Sequence, residues 1–183
     1  MSSGDVMIES DKITEFQSTD SRIEGQTTLK VKHMLSLSGL LIGLSSMVFS
    51  AEDVRIQPQT QIESVANVII DAEETLAIQP DSSVAGKDLS VKSPTITNEG
   101  LLQGSNSVEL NVTQNLSNKG QLLTAGKLKI ETPKLENNGL LQSASGDFNV
   151  ADLINKGGMW IAGPWTLQGN KAVNTGWMRI DGS

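Results

Sequence analysis

Ile96-Thr-Asn-Glu-Gly-Leu-Leu102, Leu116-Ser-Asn-Lys-Gly-Gln-Leu-Leu123, Leu135-Glu-Asn-Asn-Gly-Leu-Leu141, Leu153-Ile-Asn-Lys-Gly-Gly-Met159 and Val173-Asn-Thr-Gly-Trp-Met178 are five renderings of one phrase. Its Asn falls at Asn98, Asn118, Asn137, Asn155 and Asn174, and its Gly at Gly100, Gly120, Gly139, Gly157 and Gly176, so the phrase returns at intervals of 20, 19, 18 and 19 residues. That period is too short for a paired-helix repeat and fits one coil of a β-solenoid. Apolar residues keep step with it. Leu102, Leu122, Leu141, Met159 and Met178 stand two places after the Gly, and Ile96, Leu116, Leu135, Leu153 and Ala172 two places before the Asn. Further along each coil comes a pair at strand spacing: Leu89 and Val91, Val108 and Leu110, Leu128 and Ile130, Phe148 and Val150, Trp165 and Leu167. A spacing of two turns both side chains to one face of a strand. No coil buries them alone; stacked about 4.8 Å apart, coils share one core and bond in parallel to their neighbours. The expected fold is all-β, a right-handed parallel β-helix of about five to six coils.

The ten Asn and Gly positions read as structural turn residues. Gly reaches positive φ without penalty and Asn tolerates the left-handed region. Asn side chains stacked at one corner can also hydrogen-bond along the axis as an amide ladder. A ligand-binding Asn column is the alternative. A second set of glycines, Gly86, Gly104, Gly126, Gly146 and Gly163, reads as the corner before the second strand.

With two glycines, an Asn and four apolar positions, the pattern of Leu116 to Ile130 resembles the repeats of the filamentous haemagglutinin family, the exported adhesins and contact-dependent inhibition proteins of two-partner secretion. The resemblance covers about half the chain. It implies a stalk whose activity sits elsewhere, secreted or held at the cell surface outside the outer membrane of a Gram-negative bacterium. It also implies an outer-membrane transporter pore as export partner, and host-cell or matrix glycans or proteins as the targets of such a surface.

Towards the N-terminus the pattern fades. Residues 1–33 are polar, with Val6, Ile8, Ile13 and Phe16 isolated among acids, Ser and Thr, the composition of a disordered tail. Lys30, Lys32 and His33 then precede the apolar run from Met34 to Phe49, and small residues follow at Ser50 and Ala51. A basic flank, an apolar core and a small-residue site predict a signal-peptide helix over residues 34–50, cut after Ser50 or, failing that, after Ala51. A membrane anchor needs about 20 apolar residues, and this run is interrupted by Ser36, Ser38, Gly39, Gly43, Ser45 and Ser46. Residues 51–83, with bends at Pro58 and Pro80, read as an irregular lead-in coil and cap, and residues 84–183 as haemagglutinin-type repeats. Asp71, Glu73 and Glu74 lack the spacing of a calcium loop and read as a solvated turn.

Composition narrows the chemistry. The 183 residues carry a net charge of −7, which argues against a nucleic-acid partner. They include no Cys, which removes disulfides, Cys-based zinc sites and thiol catalysis. The single His, His33, lies ahead of the predicted cut, so a processed chain has no imidazole for a triad or a His metal site. The residue between Asn and Gly runs Glu99, Lys119, Asn138, Lys156, Thr175, and the outward site of the second strand Glu109, Lys129, Asn149, Thr166. Neither column aligns the carboxylate pair that glycan cleavage uses. The expectation is no enzyme, with no catalytic, cofactor-binding or metal-binding residue and no cofactor. Trp165 points inward; Trp160 and Trp177, outward beside Met159 and Met178, read first as packing at the end of the helix and, if exposed and stacked one coil apart, as the candidate contact surface. The chain stops at Ser183, just after a strand, which reads as a truncated family member or as an edge that meets another chain head to tail. These features predict an exported structural and adhesive module without catalysis. A self-assembling solenoid polymer is the second reading and a polysaccharide-active β-helix enzyme the third.

Overall fold

The computed structural model describes residues 4–11 and 14–182. Their 17 strands pair only in parallel and wind as a solenoid of about nine turns, with no helix. Each turn passes along three faces, and the longer strands bend from one face into the next, as Ser83–Asn98 does with Val84, Val91 and Ile96. On the first face the inward column runs Leu41, Ile62, Val84, Leu102, Leu122, Leu141, Met159, Met178. On the second, Phe49, Ile70, Val91, Leu110, Ile130, Phe148 and Leu167 stack. The third stacks Leu35, Val54, Leu76, Ile96, Leu116, Leu135, Leu153 and Ala172. From Leu35 to Leu153 these columns are almost wholly buried. The core is therefore one apolar cylinder, built because alternate side chains of every strand meet their equivalents above and below.

The solenoid begins earlier than the phrase. Residues 1–33 are not a disordered tail where the structure describes them: Val6–Ser10, Thr14–Ile23 and Thr27–Val31 are strands, with Val6, Ile8 and Phe16 packed on the core and Leu29 and Val31 inside it. A strand with few apolar residues is ordered here because the next coil, not its own neighbours in sequence, supplies the burial. Ile13 of the expected tail lies outside the described residues. Residues 34–50 are likewise not a signal-peptide helix. Met34–Gly43 and Met47–Ile56 are strands whose Leu35, Leu37, Met47 and Phe49 are core residues, and a cut after Ser50 or Ala51 would divide the second strand. Of the small residues that interrupt the apolar run, Ser45 and Ser46 lie at the corner between these two strands, and Gly39, at φ 89°, turns the chain at another, where a Cβ would meet the carbonyl oxygen of Ser18. His33 sits at such a corner, its Nδ1 2.8 Å from Glu52 Oε2 on the next coil.

Residues 51–83 form regular coils rather than an irregular lead-in and cap. Met47 pairs with Val68 and Val68 with Leu89, a repeat of 21 residues, where Leu89 to Val108 takes 19. The longer coils turn through Pro58-Gln59 and Pro80-Asp81, with Gln59 and Asp81 at φ 60°, in place of Asn-x-Gly. The count of about nine turns thus exceeds the expected five to six, because the early coils lack the phrase and keep a different period.

One register differs within the repeats. Phe148 stacks on Ile130, so Gly146 takes the inward place of Leu128, and Asp147, not Asn149, stands over Lys129. The gap at Gly146 is filled from the next coil: a Cβ there would lie 2.5 Å from Trp165, whose ring meets Phe148 edge-on at 6.0 Å. The second set of glycines is not one column either. Gly86 pairs with Gly104, but Gly104 pairs with Thr124, and Gly146 lies inside a strand.

Candidate functional site

The Asn-x-Gly corner carries a side-chain hydrogen-bond network that runs through five coils. Asn98, Asn118, Asn137 and Asn155 end their strands fully buried, and their side chains form an amide ladder. Asn98 Nδ2 donates to Asn118 Oδ1 at 2.8 Å, Asn118 to Asn137 at 2.7 Å, Asn137 to Asn155 at 2.7 Å, and Asn155 to Asn174 at 2.6 Å. The second N–H of each amide reaches the next coil's backbone, at the carbonyls of Gln121, Leu140, Gly158 and Trp177 in turn. Every donor points towards the C-terminal end, so the amide dipoles add along the axis.

None of the five glycines has positive φ; Gly39 is the only described Gly that does. Their requirement is proximity. A Cβ on Gly120 would lie 2.0 Å from the carbonyl oxygen of Gly100, on Gly139 1.9 Å from that of Gly120, on Gly157 2.1 Å from that of Gly139, and on Gly176 2.0 Å from that of Gly157. Adjacent corners touch backbone to backbone because two successive N–H groups, such as those of Lys119 and Gly120, both donate to the Asn carbonyl one coil back.

The ladder has a definite start. In the coils before Asn98 the same column holds Leu37, Ile56 and Ile78, which offer no donor, and Asn98 Oδ1 is buried without a partner. Ile78→Asn supplies that donor and moves the orphan acceptor one coil up. Ile56→Asn meets only isoleucine below. The first substitution is expected to be less destabilising than the second by about 1–2 kcal/mol in urea unfolding; equal losses would show that the ladder cannot be extended.

Outward charges pair between coils. Lys119 meets Glu99 at 2.8 Å, Lys129 meets Glu109 at 2.8 Å, Lys127 meets Asp147 at 3.0 Å and Lys156 meets Glu136 at 2.7 Å. The Lys156 ammonium, with the Asn138 amide, holds Glu136 below its ordinary 4.5, and Lys127 and then Thr166 hold Asp147 below 3.8. The Ser107 hydroxyl and the Asn106 amide do the same for Asp88. A carboxylate whose folded pKa is depressed contributes stability that is fully present above its unfolded pKa and lost as pH falls through the folded one. The melting midpoint is therefore expected to be level from pH 7 to about 5 and to fall below about 4. The fall should be shallower in about 1 M salt, because these pairs are exposed. Among the described residues, no three His, Cys, Asp or Glu side chains gather as a metal site.

The two outward tryptophans do not share a column. Trp160 stacks on Arg179, which lies 5.7 Å from its ring centre, and donates from Nε1 to Asp181 at 3.0 Å; Asp181 is also held by Arg179 Nε at 2.7 Å. Trp177, 53% exposed, pairs with Gly158 and its indole lies across that glycine. They belong to a larger strip that the repeat phrase did not reveal. On the first face, Leu101, Gln121, Leu140, Gly158 and Trp177 form one outward column, and Gln103, Leu123, Gln142, Trp160 and Arg179 the other. Reading the residues one and three places after each Gly of the phrase would have found it.

The parallel coils, the single apolar cylinder and the amide-laddered corner define a β-solenoid repeat protein. The Haemagglutinin repeat family matches residues 22–152, and the chain belongs to that family. The match begins ahead of the run read as a signal core. The chain is 33% identical over 90 residues to Toxin CdiA of Escherichia coli. It is 33% identical over 89 residues to the tRNA nuclease CdiA of Escherichia coli strain NC101. Each match covers 48% of this chain and 3% of the relative, so the chain spans a small fraction of the length of these relatives. No solved structure matches it.

Proposed function

We propose that the chain is a stalk segment of an exported two-partner-secretion protein, a rod that presents a surface to host cells or matrix and performs no catalysis. The observation that carries this is the single apolar core that continues from coil to coil through about nine turns. A rod so built gains length with every coil and needs only nearest-neighbour contacts to stay straight. Its charges neutralise one another across coils instead of converging in a cleft. Membership of the Haemagglutinin repeat family supports export through an outer-membrane transporter pore to the exterior of a Gram-negative cell. Toxin and nuclease are words for the whole CdiA proteins, of which the matched part is 3%.

Small-angle scattering of the chain should give a rod about 40 Å long, from about nine coils at roughly 4.8 Å each. Incubation with a glycan panel should release no reducing sugar. Release would make the protein an enzyme and overturn the reading. A scattering mass that grows with concentration would favour end-to-end polymerisation instead.

A further inference from the structure

The first face uses its outward polar groups differently from the rest of the surface. Elsewhere on the repeats, Lys119, Lys127, Lys129 and Lys156 each pair with an acid on a neighbouring coil. From Leu101 to Trp160 the two outward columns of the first face contain no charge at all. They form a checkerboard, Leu101 beside Gln103, Gln121 beside Leu123, Leu140 beside Gln142, so that each Gln has a Leu above or below it. The leucines are half-buried, Gln103 and Gln121 are exposed, and no side-chain partner is found for any of the three Gln amides among the described residues. At the C-terminal end of the strip lies Trp177, its indole across Gly158.

An amide donates and accepts without carrying charge. Amides alternating with flat apolar patches and an indole face suit a ligand whose hydroxyls alternate with C–H surfaces and which is itself uncharged. The strip has the shape of a chain: about 19 Å along the axis over five coils and about 7 Å between columns. That is far below the roughly 800 Å² per partner that a stable protein interface buries. Anionic glycans are disfavoured by the net charge of −7 and by the lack of any cation on the strip except Arg179, which Asp181 already holds. We propose that the first face, from Leu101 to Trp177, binds a linear neutral polysaccharide laid along the solenoid axis. The proposal rests on the stalk reading and names the class of ligand the rod would present.

The test titrates the full chain with cellohexaose, maltohexaose, mannohexaose and a heparin hexasaccharide, reading tryptophan fluorescence. One of the neutral sugars is expected to bind saturably. Its affinity should stay within about twofold between about 0.01 and 1 M salt, over which the Debye length falls from roughly 30 to 3 Å. Gln121→Glu with Leu123→Asp should weaken it at least about tenfold with an unchanged melting midpoint. Trp177→Ala should weaken it as well and serves if the double variant does not fold, whereas Lys119→Gln, off the strip, should leave it unchanged. Failure of all three neutral sugars, preference for heparin, or undiminished binding by the strip variants overturns the proposal. If the rod-like scattering persists in that event, the stalk reading survives without it; if the rod is absent, both fall.

Discussion

Gly120→Val lowers the stability of the solenoid by about 3 kcal/mol, at the upper end of what overpacking costs, and shifts the melting midpoint down by about 6–12 °C for a chain of this size. The cause is the Gly100 carbonyl oxygen, 2.0 Å from where the first added carbon must go, with Glu99 backbone at 2.7 Å behind it. Backbone atoms cannot rotate aside as a side-chain tip can, so the two corners must part. Parting them lengthens the bonds from the Lys119 and Gly120 amides to the Asn98 carbonyl, 2.8 and 3.0 Å long. The choice of substituent separates this cause from backbone strain. Were positive φ the requirement, Asn would be the mildest replacement. Because the obstacle is contact at Cβ, Gly120→Asn and Gly120→Ala are both expected to be severely destabilising. Gly4→Ala, where nothing lies within 4 Å of the added carbon, is the control and should melt like the parent. A Gly120→Val protein that melts normally would show that the coils do not approach as described.

Asn137→Leu, in the middle of the ladder, is the second large effect, expected at about 2–5 kcal/mol. It strands Asn155 Oδ1 without a donor and the Gly158 carbonyl without its side-chain bond, and takes from Asn118 Nδ2 its 2.7 Å acceptor. Asn98→Leu removes a residue whose own Oδ1 is already unpartnered, and the column above it is aliphatic, so it should cost clearly less. Asn137→Asp gives the sign of the ladder a pH signature. An ionised carboxylate there accepts from Asn118 but cannot donate to Asn155, and full burial penalises its charge, so its folded pKa rises above the unfolded one. Stability lost at neutral pH should then return in part as pH falls and the carboxyl regains a proton to donate. Urea midpoints of the three variants at pH 7 and at about pH 5 decide the matter. Equal losses for Asn98 and Asn137, or an Asp variant indifferent to pH, would mean the amides are not coupled along the axis.

The repeat phrase was legible because its constraint is local and recurs. Leu102, Leu122 and Leu141 could be aligned by counting from a Gly, and they do stack in one column. The coils from Val6 to Ile78 were opaque for two reasons. Their period is 21 rather than 19 around Val68, and their corners use Pro58-Gln59 and Pro80-Asp81, so neither length nor motif flags them as the same object. The run from Met34 to Phe49 misled because an apolar segment looks alike whether it enters a membrane channel or the centre of a cylinder. Only its partners, Ile56 over Leu37 and Ile70 over Phe49, distinguish the two.

By itself, then, the order of residues determined that short strands alternate in and out, that they recur at about one coil's length, and that the family is one of haemagglutinin repeats. Those are matters of spacing along the chain. What stands beside what was left to the tertiary structure: that Asp147 and not Asn149 meets Lys129, that Gly146 yields its place to Trp165, and that Trp160 and Trp177 lie in different columns. Each coil closes with its own number of corner residues, and a difference of one or two moves the side chains of one strand to new neighbours until a bulge or the next corner restores the column. That is also why the glycines serve proximity rather than φ, since how closely two corners approach is settled between coils and is written in neither of them alone.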